Sequence, residues 1–153
     1  EIPLRLVGSE MCIRDRDKKI DCYTTFDGIK GRTLDMTVEL SGEEYHDFTV
    51  EMACDDEYGT VFTYNRVAGV LEIDRTCCGV TKDVVCVRKI KIVDTDRKLK
   101  LRFIVDRQSI ELFINDGQQV ATTAICTPLQ ADGICFNCDG SAVVDIEKYD
   151  IIL

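Results

Sequence analysis

Apolar and polar residues alternate with a period of two along most of the chain. The clearest run is Leu99, Leu101, Phe103 and Val105, interleaved with Lys100 and Arg102. Side chains on a strand point alternately to opposite faces, so this run predicts a strand with one buried face. A turn is expected at Asp106 to Ser109. Beyond it Ile110, Leu112 and Ile114 share one face, while Glu111 and Asn115 share the other. Asn115-Asp116-Gly117 predicts a tight hairpin turn, because Asn, Asp and Gly tolerate the positive φ such a turn requires. Val120 to Ile125, rich in Thr and β-branched residues, reads as the return strand.

The same grammar recurs on both sides. Leu34, Met36, Val38 and Leu40 form one face, and Ser41-Gly42 is expected to end that strand. Phe48, Val50 and Met52 form another face before the polar turn Asp55-Asp56-Glu57. Further strands are expected at Gly59 to Tyr64, Val70 to Ile73 and Val84 to Val93. Gly133 to Cys138 and Ala142 to Ile152 are expected to flank a turn at Asp139-Gly140. No stretch has helical periodicity. Roughly ten short strands with frequent turns predict an all-β fold, a two-sheet antiparallel β-sandwich of jelly-roll type.

Leu4 to Arg16 (LRLVGSEMCIRDR) lacks this periodicity. It resembles a peptide encoded when sequencing-adapter DNA is translated within an open reading frame. Residues 1–16 are therefore expected to be a linker or a non-native tail, with the native domain spanning residues 17–153. An added edge strand is the alternative.

Composition narrows the function classes. At 153 residues, the chain is long enough for one domain with a real core. A formal charge of −9 argues against a nucleic-acid partner, which would need clustered Lys and Arg. It argues equally against docking on anionic lipid, and no apolar run approaches the ~20 residues needed to span a bilayer. The N-terminal residues lack the pattern of a signal peptide. Nine cysteines without regular spacing read poorly as a disulfide framework. Most are expected to pack as small buried apolar residues in a reducing, cytoplasmic-type compartment.

The stretch Leu101 to Gly117, LRFIVDRQSIELFINDG, resembles the signature of the C-terminal sandwich of glycoside hydrolase family 32. That family contains invertases, sucrose-6-phosphate hydrolases, levanases and inulinases. Asp106, Ser109, Glu111, Phe113, Asn115, Asp116 and Gly117 stand at the matching positions, while Gln108 departs where Ser is usual. Upstream, Leu71 to Thr76 resembles the family's strand end at Asp74-Arg75, following Phe62 and Tyr64. A polar network at the surface or between domains is the expected role of Asp74, Arg75 and Glu111.

The resemblance implies a five-bladed catalytic propeller upstream of the sandwich, outside this chain. Glycoside hydrolysis usually needs two carboxyl groups flanking the scissile bond. In the family these lie in motifs containing Asp-Pro and Glu-Cys. Neither dipeptide occurs here, since Pro3 follows Ile2, Pro128 follows Thr127, and no Glu precedes Cys. Trp is absent altogether. The expectation is a chain with no catalytic residues, no cofactor and no metal.

Other constellations point nowhere definite. Cys135-Phe136-Asn137-Cys138 has CxxC spacing, but residues three apart on a strand face opposite sides, so the two thiols are not expected to converge. Cys77-Cys78 is the sole sequence-adjacent pair that could add ligands. His46, the only histidine, reads as a loop or edge residue. The acidic runs Asp55-Asp56-Glu57 and Asp94-Thr95-Asp96 lack the spaced ligands of a calcium loop.

Two functions follow from the resemblance. In the first, the sandwich packs on the propeller, stabilises it and takes part in a homodimer. In the second, it is a carbohydrate-binding module that tethers the enzyme to fructan. Such a site would want an exposed aromatic platform, and Tyr23, Tyr45, Tyr58, Tyr64 and Tyr149 are its candidates. Whether the parent acts on sucrose, its phosphate, inulin or levan is not encoded here.

Overall fold

The structure, a computed structural model, describes residues 12–79 and 85–151. Among them are nine strands and no helix: β1 (Cys12–Ile20), β2 (Leu34–Cys54), β3 (Gly59–Asn65), β4 (Val70–Cys77), β5 (Val87–Lys91), β6 (Leu99–Asp106), β7 (Ser109–Ile114), β8 (Gln119–Ala124) and β9 (Gly133–Asp150). All pairings are antiparallel.

Two long strands organise the rest. β9 pairs with β2 along its length, from Leu34 opposite Asp150 to Cys54 opposite Gly133. On the other edge of β2, the first part pairs with β6 and the last part with β3. Strands β7 and β8 extend the β6 side, β4 and β5 extend the β3 side, and β1 adds to the free edge of β9. The two halves fold onto one core, giving a β-sandwich whose layers share β2 and β9. Phe62 of β3 meets Phe103 of β6 edge-on at 5.1 Å between ring centroids. Phe48, Phe62, Phe103 and Phe136 are fully buried there.

The bend differs from expectation. Ser41-Gly42 and Asp139-Gly140 do not end strands; β2 and β9 run straight through them. Gly42 (φ +100°) and Gly140 (φ +109°) face a pair of register shifts, between Ser41 and Glu44 and between Tyr45 and Phe48. A Cβ on Gly140 would strike the Glu44 carbonyl oxygen and lie 2.7 Å from Tyr45 Cα. Gly140 lets the two strands cross at contact distance while they turn from one layer to the other, and Gly42 supplies the positive φ at the facing bulge.

Other boundaries hold. Leu34, Met36, Val38 and Leu40 are buried, as are Leu99, Leu101, Phe103 and Val105. Asn115 (φ +50°), Asp116 (+61°) and Gly117 (+89°) make the left-handed turn between β7 and β8. The strand expected over Val84 to Val93 is β5, with residues 80–84 outside the described residues. Residues 1–11 and 152–153 also lie outside them.

The described part of the aperiodic N-terminal segment, Cys12 to Arg16, is strand rather than linker. It pairs with β9 from Cys12 opposite Tyr149 to Asp15 opposite Ile146. Arg14 Nε donates to Glu147 Oε2 at 2.7 Å, and Arg14 Nη2 donates to the Tyr149 hydroxyl at 3.2 Å. An edge strand with polar side chains carries little alternation, which is why it does not stand out in the sequence.

The free edges of β5 and β8 are joined by side chains instead of a ladder. Gln119 accepts from the Val93 N–H at 3.0 Å and donates to the Lys91 carbonyl at 2.8 Å. Arg88 donates to the Thr122 carbonyl at 2.7 Å, and Arg75 to that of Ala124 at 3.2 Å. These contacts occupy edge groups that would otherwise template another strand.

Candidate functional site

The residues singled out by the family resemblance fall into four places. Asn115 is 1% exposed. Its Oδ1 accepts the Lys100 N–H at 3.0 Å and its Nδ2 donates to the Asp94 carbonyl at 3.3 Å. Asp116 pairs with Arg97 at 3.0 Å and Lys100 at 2.9 Å. Hydrogen bonds from these two cations hold its carboxyl below the usual carboxylate range. Gly117 completes the turn with open space around it. This group shapes the hairpin end.

Asp106 and Ser109 close the opposite end of the β6–β7 hairpin, where Asp106 Oδ1 accepts the Arg107 N–H. Glu111 and Phe113 lie on the outward face of β7, beside Ile104 and Arg102 of β6 respectively. Asp74 accepts from the Thr76 N–H at 2.9 Å and its hydroxyl at 2.6 Å, capping the end of β4. Arg75 is the edge-stitching residue described above. The signature residues therefore do not meet in one pocket.

Sequence reasoning missed the buried charges. Asp35, 3% exposed on the outward face of β2, takes two hydrogen bonds from Arg102, at 2.9 Å from Nε and 2.6 Å from Nη2. Beyond this pair lies a shallow cleft of about 250 Å³ lined by Arg16, Thr37, Glu39, Lys100, Asp145 and Glu147. Arg32 is 7% exposed and its Nη1 donates to Thr127 Oγ1 at 3.0 Å, the Pro128 carbonyl at 2.8 Å and the Ala131 carbonyl at 3.2 Å. It ties down the loop before β9, and burial lowers the pKa of its guanidinium. Lys148, 3% exposed, donates to the Gly28 carbonyl at 3.2 Å and pairs with Asp150 at 2.7 Å. A single charged residue within an alternating run carries no signal that it will be buried.

The cysteines also depart from expectation. Only Cys54, Cys78, Cys135 and Cys138 are buried; Cys12, Cys22, Cys77 and Cys126 are exposed, and all nine are free thiols. The exposed four sit on the edge strand, at a strand end or in loops, where no second layer covers them. Cys138 points into the core, while Cys135 packs beside Cys54. The CxxC thiols diverge, in line with strand alternation.

Among the described residues two groups of side chains have metal-donor geometry. One is Glu51, Cys54 and Cys135, and the other is His46, Asp47 and Asp139 at the β2–β9 bend. His46 and Asp139 are exposed. The acidic runs serve turns: Asp55 accepts the N–H groups of Glu57 and Tyr58, and Asp94 that of Asp96. Of the tyrosines, Tyr45 and Tyr64 are 6% exposed and Tyr23 is 63% exposed. Tyr58 and Tyr149 are half-buried.

Fold and signature together define a two-layer β-sandwich whose marked residues build strand ends and an outward face. The family profile described as "Glycosyl hydrolases family 32 C terminal" matches residues 5–151, and the chain belongs to that family. Sucrose-6-phosphate hydrolase from Staphylococcus xylosus is 28% identical over 124 residues, covering 80% of this chain and 25% of that protein. The chain thus spans a quarter of that relative's length.

Among solved structures, exo-inulinase from Aspergillus awamori superposes with a TM-score of 0.76 at 20% identity, covering 95% of this chain and 29% of the enzyme, a likeness of fold. Sucrose-6-phosphate hydrolase from Lactobacillus gasseri gives 0.71 at 25% identity, covering 93% and 28%.

Proposed function

We propose that this chain is the non-catalytic C-terminal sandwich of a β-fructosidase, whose role is to stabilise the catalytic domain that carries the chemistry. The observation behind this reading is coverage. The chain aligns over its length with a family defined by the C-terminal part of such enzymes, and with about a quarter of the whole relatives.

The residues agree. Two carboxyl groups held across a sugar-sized gap are the usual minimum for glycoside hydrolysis. Here the acidic signature residues lie apart: Asp74 and Asp106 cap turns, Asp116 pairs with Arg97 and Lys100, and Glu111 is exposed on the outward face of β7. The outward face around Asp35, Arg102, Glu111 and Phe113 combines a buried ion pair with a half-buried aromatic residue, a mixture typical of domain interfaces. A sucrose- or fructan-cleaving parent is the reading its relatives favour. A second copy of the chain is a further candidate partner. The free exposed thiols suit a reducing compartment.

Tethering to fructan has weaker support. Tyr45 and Tyr64 are in the core, and the Tyr149 hydroxyl is held by Arg14. A stacking platform would rest on Tyr23 and Tyr58.

The test is reconstitution. The parent's catalytic domain, made separately, should melt at a higher temperature when this chain is added, in proportion to its concentration. An unchanged melting temperature at saturating chain would remove the stabilising role.

A further inference from the structure

The last residues of β2 are arranged in a way the sandwich alone does not require. Ala53 has a left-handed backbone (φ +51°), and the register with β9 shifts between Met52 and Cys54. On a regular strand Glu51 and Cys54 would face opposite sides. The bulge at Ala53 turns Cys54 onto the face of Glu51, whose partner across the ladder is Cys135. Bulges are a recognised means of re-aiming a side chain.

Three donor groups meet as a result. A carboxylate oxygen of Glu51 and the Sγ atoms of Cys54 and Cys135 lie within 4.8 Å of one another, and the two sulfurs are 3.4 Å apart. The Tyr23 hydroxyl lies 2.8 Å from Cys135 Sγ. Cys54 and Cys135 are 7% and 6% exposed, Glu51 is half-buried, and Tyr23 is open to solvent. The group is thus sheltered and yet reachable.

The surrounding backbone leaves room for it. A Cβ on Gly59 would strike the Glu51 carboxylate. On Gly133 it would stand 2.8 Å from the Cys54 carbonyl oxygen and 3.1 Å from its Sγ. Both flanking strands are bare where the donors sit. Among the described residues no Lys or Arg forms an ion pair with Glu51. Burial pushes the Glu51 carboxyl and the Cys54 thiol above their ordinary pKa values.

We propose that Glu51, Cys54 and Cys135 form a binding site for a thiophilic divalent cation of the zinc type, with Tyr23 hydrogen-bonded to the Cys135 sulfur. Two thiolates at about 2.3 Å from a tetrahedral ion stand roughly 3.8 Å apart, a small adjustment from the spacing seen. Sulfur donors select zinc-like ions over calcium or magnesium, which take oxygen. Binding releases the two thiol protons to solvent and leaves a fourth position for water. Tyr23 then donates to the Cys135 thiolate and orients it, as outer-shell groups do.

The reduced chain, titrated with Co²⁺ under inert gas, should develop a sulfur-to-metal charge-transfer band that saturates at one equivalent and is bleached by Zn²⁺. Cys54→Ser and Cys135→Ser should each lose most of the band and bind roughly tenfold or more weakly. Cys77→Ser and Cys126→Ser should change neither. Should the serine variants fail to fold, X-ray absorption on the zinc-loaded unaltered chain decides: two sulfurs at about 2.3 Å with oxygen at about 2.0 Å are expected. The proposal is overturned by the absence of a saturable band, by a band that survives loss of Cys54 and Cys135, or by zinc surrounded by oxygen alone or by four sulfurs.

Discussion

Arg102 of β6 grips Asp35 of β2 across the outward face of the sandwich, through two hydrogen bonds of 2.9 and 2.6 Å to a carboxylate that is almost fully buried. Such a pair costs desolvation to form, and losing one partner strands the other. Arg102→Met should destabilise the chain by about 3 kcal/mol in urea unfolding, the lower end of the range for broken buried pairs because Arg102 keeps some solvent contact. Asp35→Leu combined with Arg102→Met should recover most of that loss. A single variant as stable as the parent would show that the pair contributes nothing.

The bend of β2 and β9 makes a second prediction. Gly140→Ala places a methyl group against the backbone of Glu44 and Tyr45, whereas Gly117→Ala meets open space. Both positions have positive φ. Gly117→Ala should cost about 1 kcal/mol, the usual cost of a left-handed non-glycine residue. Gly140→Ala should cost several times more and broaden the unfolding transition, because the strands must part. Equal effects would remove the close crossing as the reason for that glycine.

A third prediction concerns pH. Lys100 and Arg97 depress the Asp116 pKa in the folded state. A depressed pKa contributes stability above the unfolded carboxylate value, and that contribution is lost as pH falls through the folded value. Asp116→Asn should therefore melt below the parent near neutral pH, with the gap closing as pH drops below about 4. Because the pair is exposed, the gap should be small and shrink with salt. A gap that widens in acid would contradict the assignment.

Much of this fold was legible because alternation is local. The hairpins β6–β7 and β7–β8 follow from Leu99 to Ile125 and from the turn chemistry of Asn115 to Gly117. Ser41-Gly42 and Asp139-Gly140 misled for the same reason. Locally they are turn signals, and only the pairing of β2 with β9, remote in sequence, shows them to be bends. β1 was invisible because an edge strand buries little, and of its residues only Ile20 is fully covered.

The candidate sites were less legible than the strands. The signature from Asp106 to Gly117 was readable as a pattern, but its residues turn out to be spread along one hairpin. The meeting of Cys54 with Cys135 depends on a bulge and a register that no spacing rule encodes. Strand alternation separates the CxxC thiols, as the sequence implies, and sends that of Cys138 into the core, but it says nothing of Cys54.

Glu111 separates docking from folding. Exposed on the outward face of β7, it should tolerate Glu111→Ala within about 0.5 kcal/mol of chain stability. Binding of the chain to the catalytic domain proposed as its partner should nonetheless weaken by roughly tenfold, a loss within reach of one interface residue. Unchanged binding in calorimetry would move the docking face elsewhere.

We propose that the sugar-cleaving chemistry lies outside this chain, and fructose release is the decisive assay. Purified chain, incubated at high concentration with sucrose, sucrose 6-phosphate and inulin, should release no more fructose than buffer does. Steady release that follows the chain through purification and is abolished by substituting one of its own carboxylates would contradict that claim.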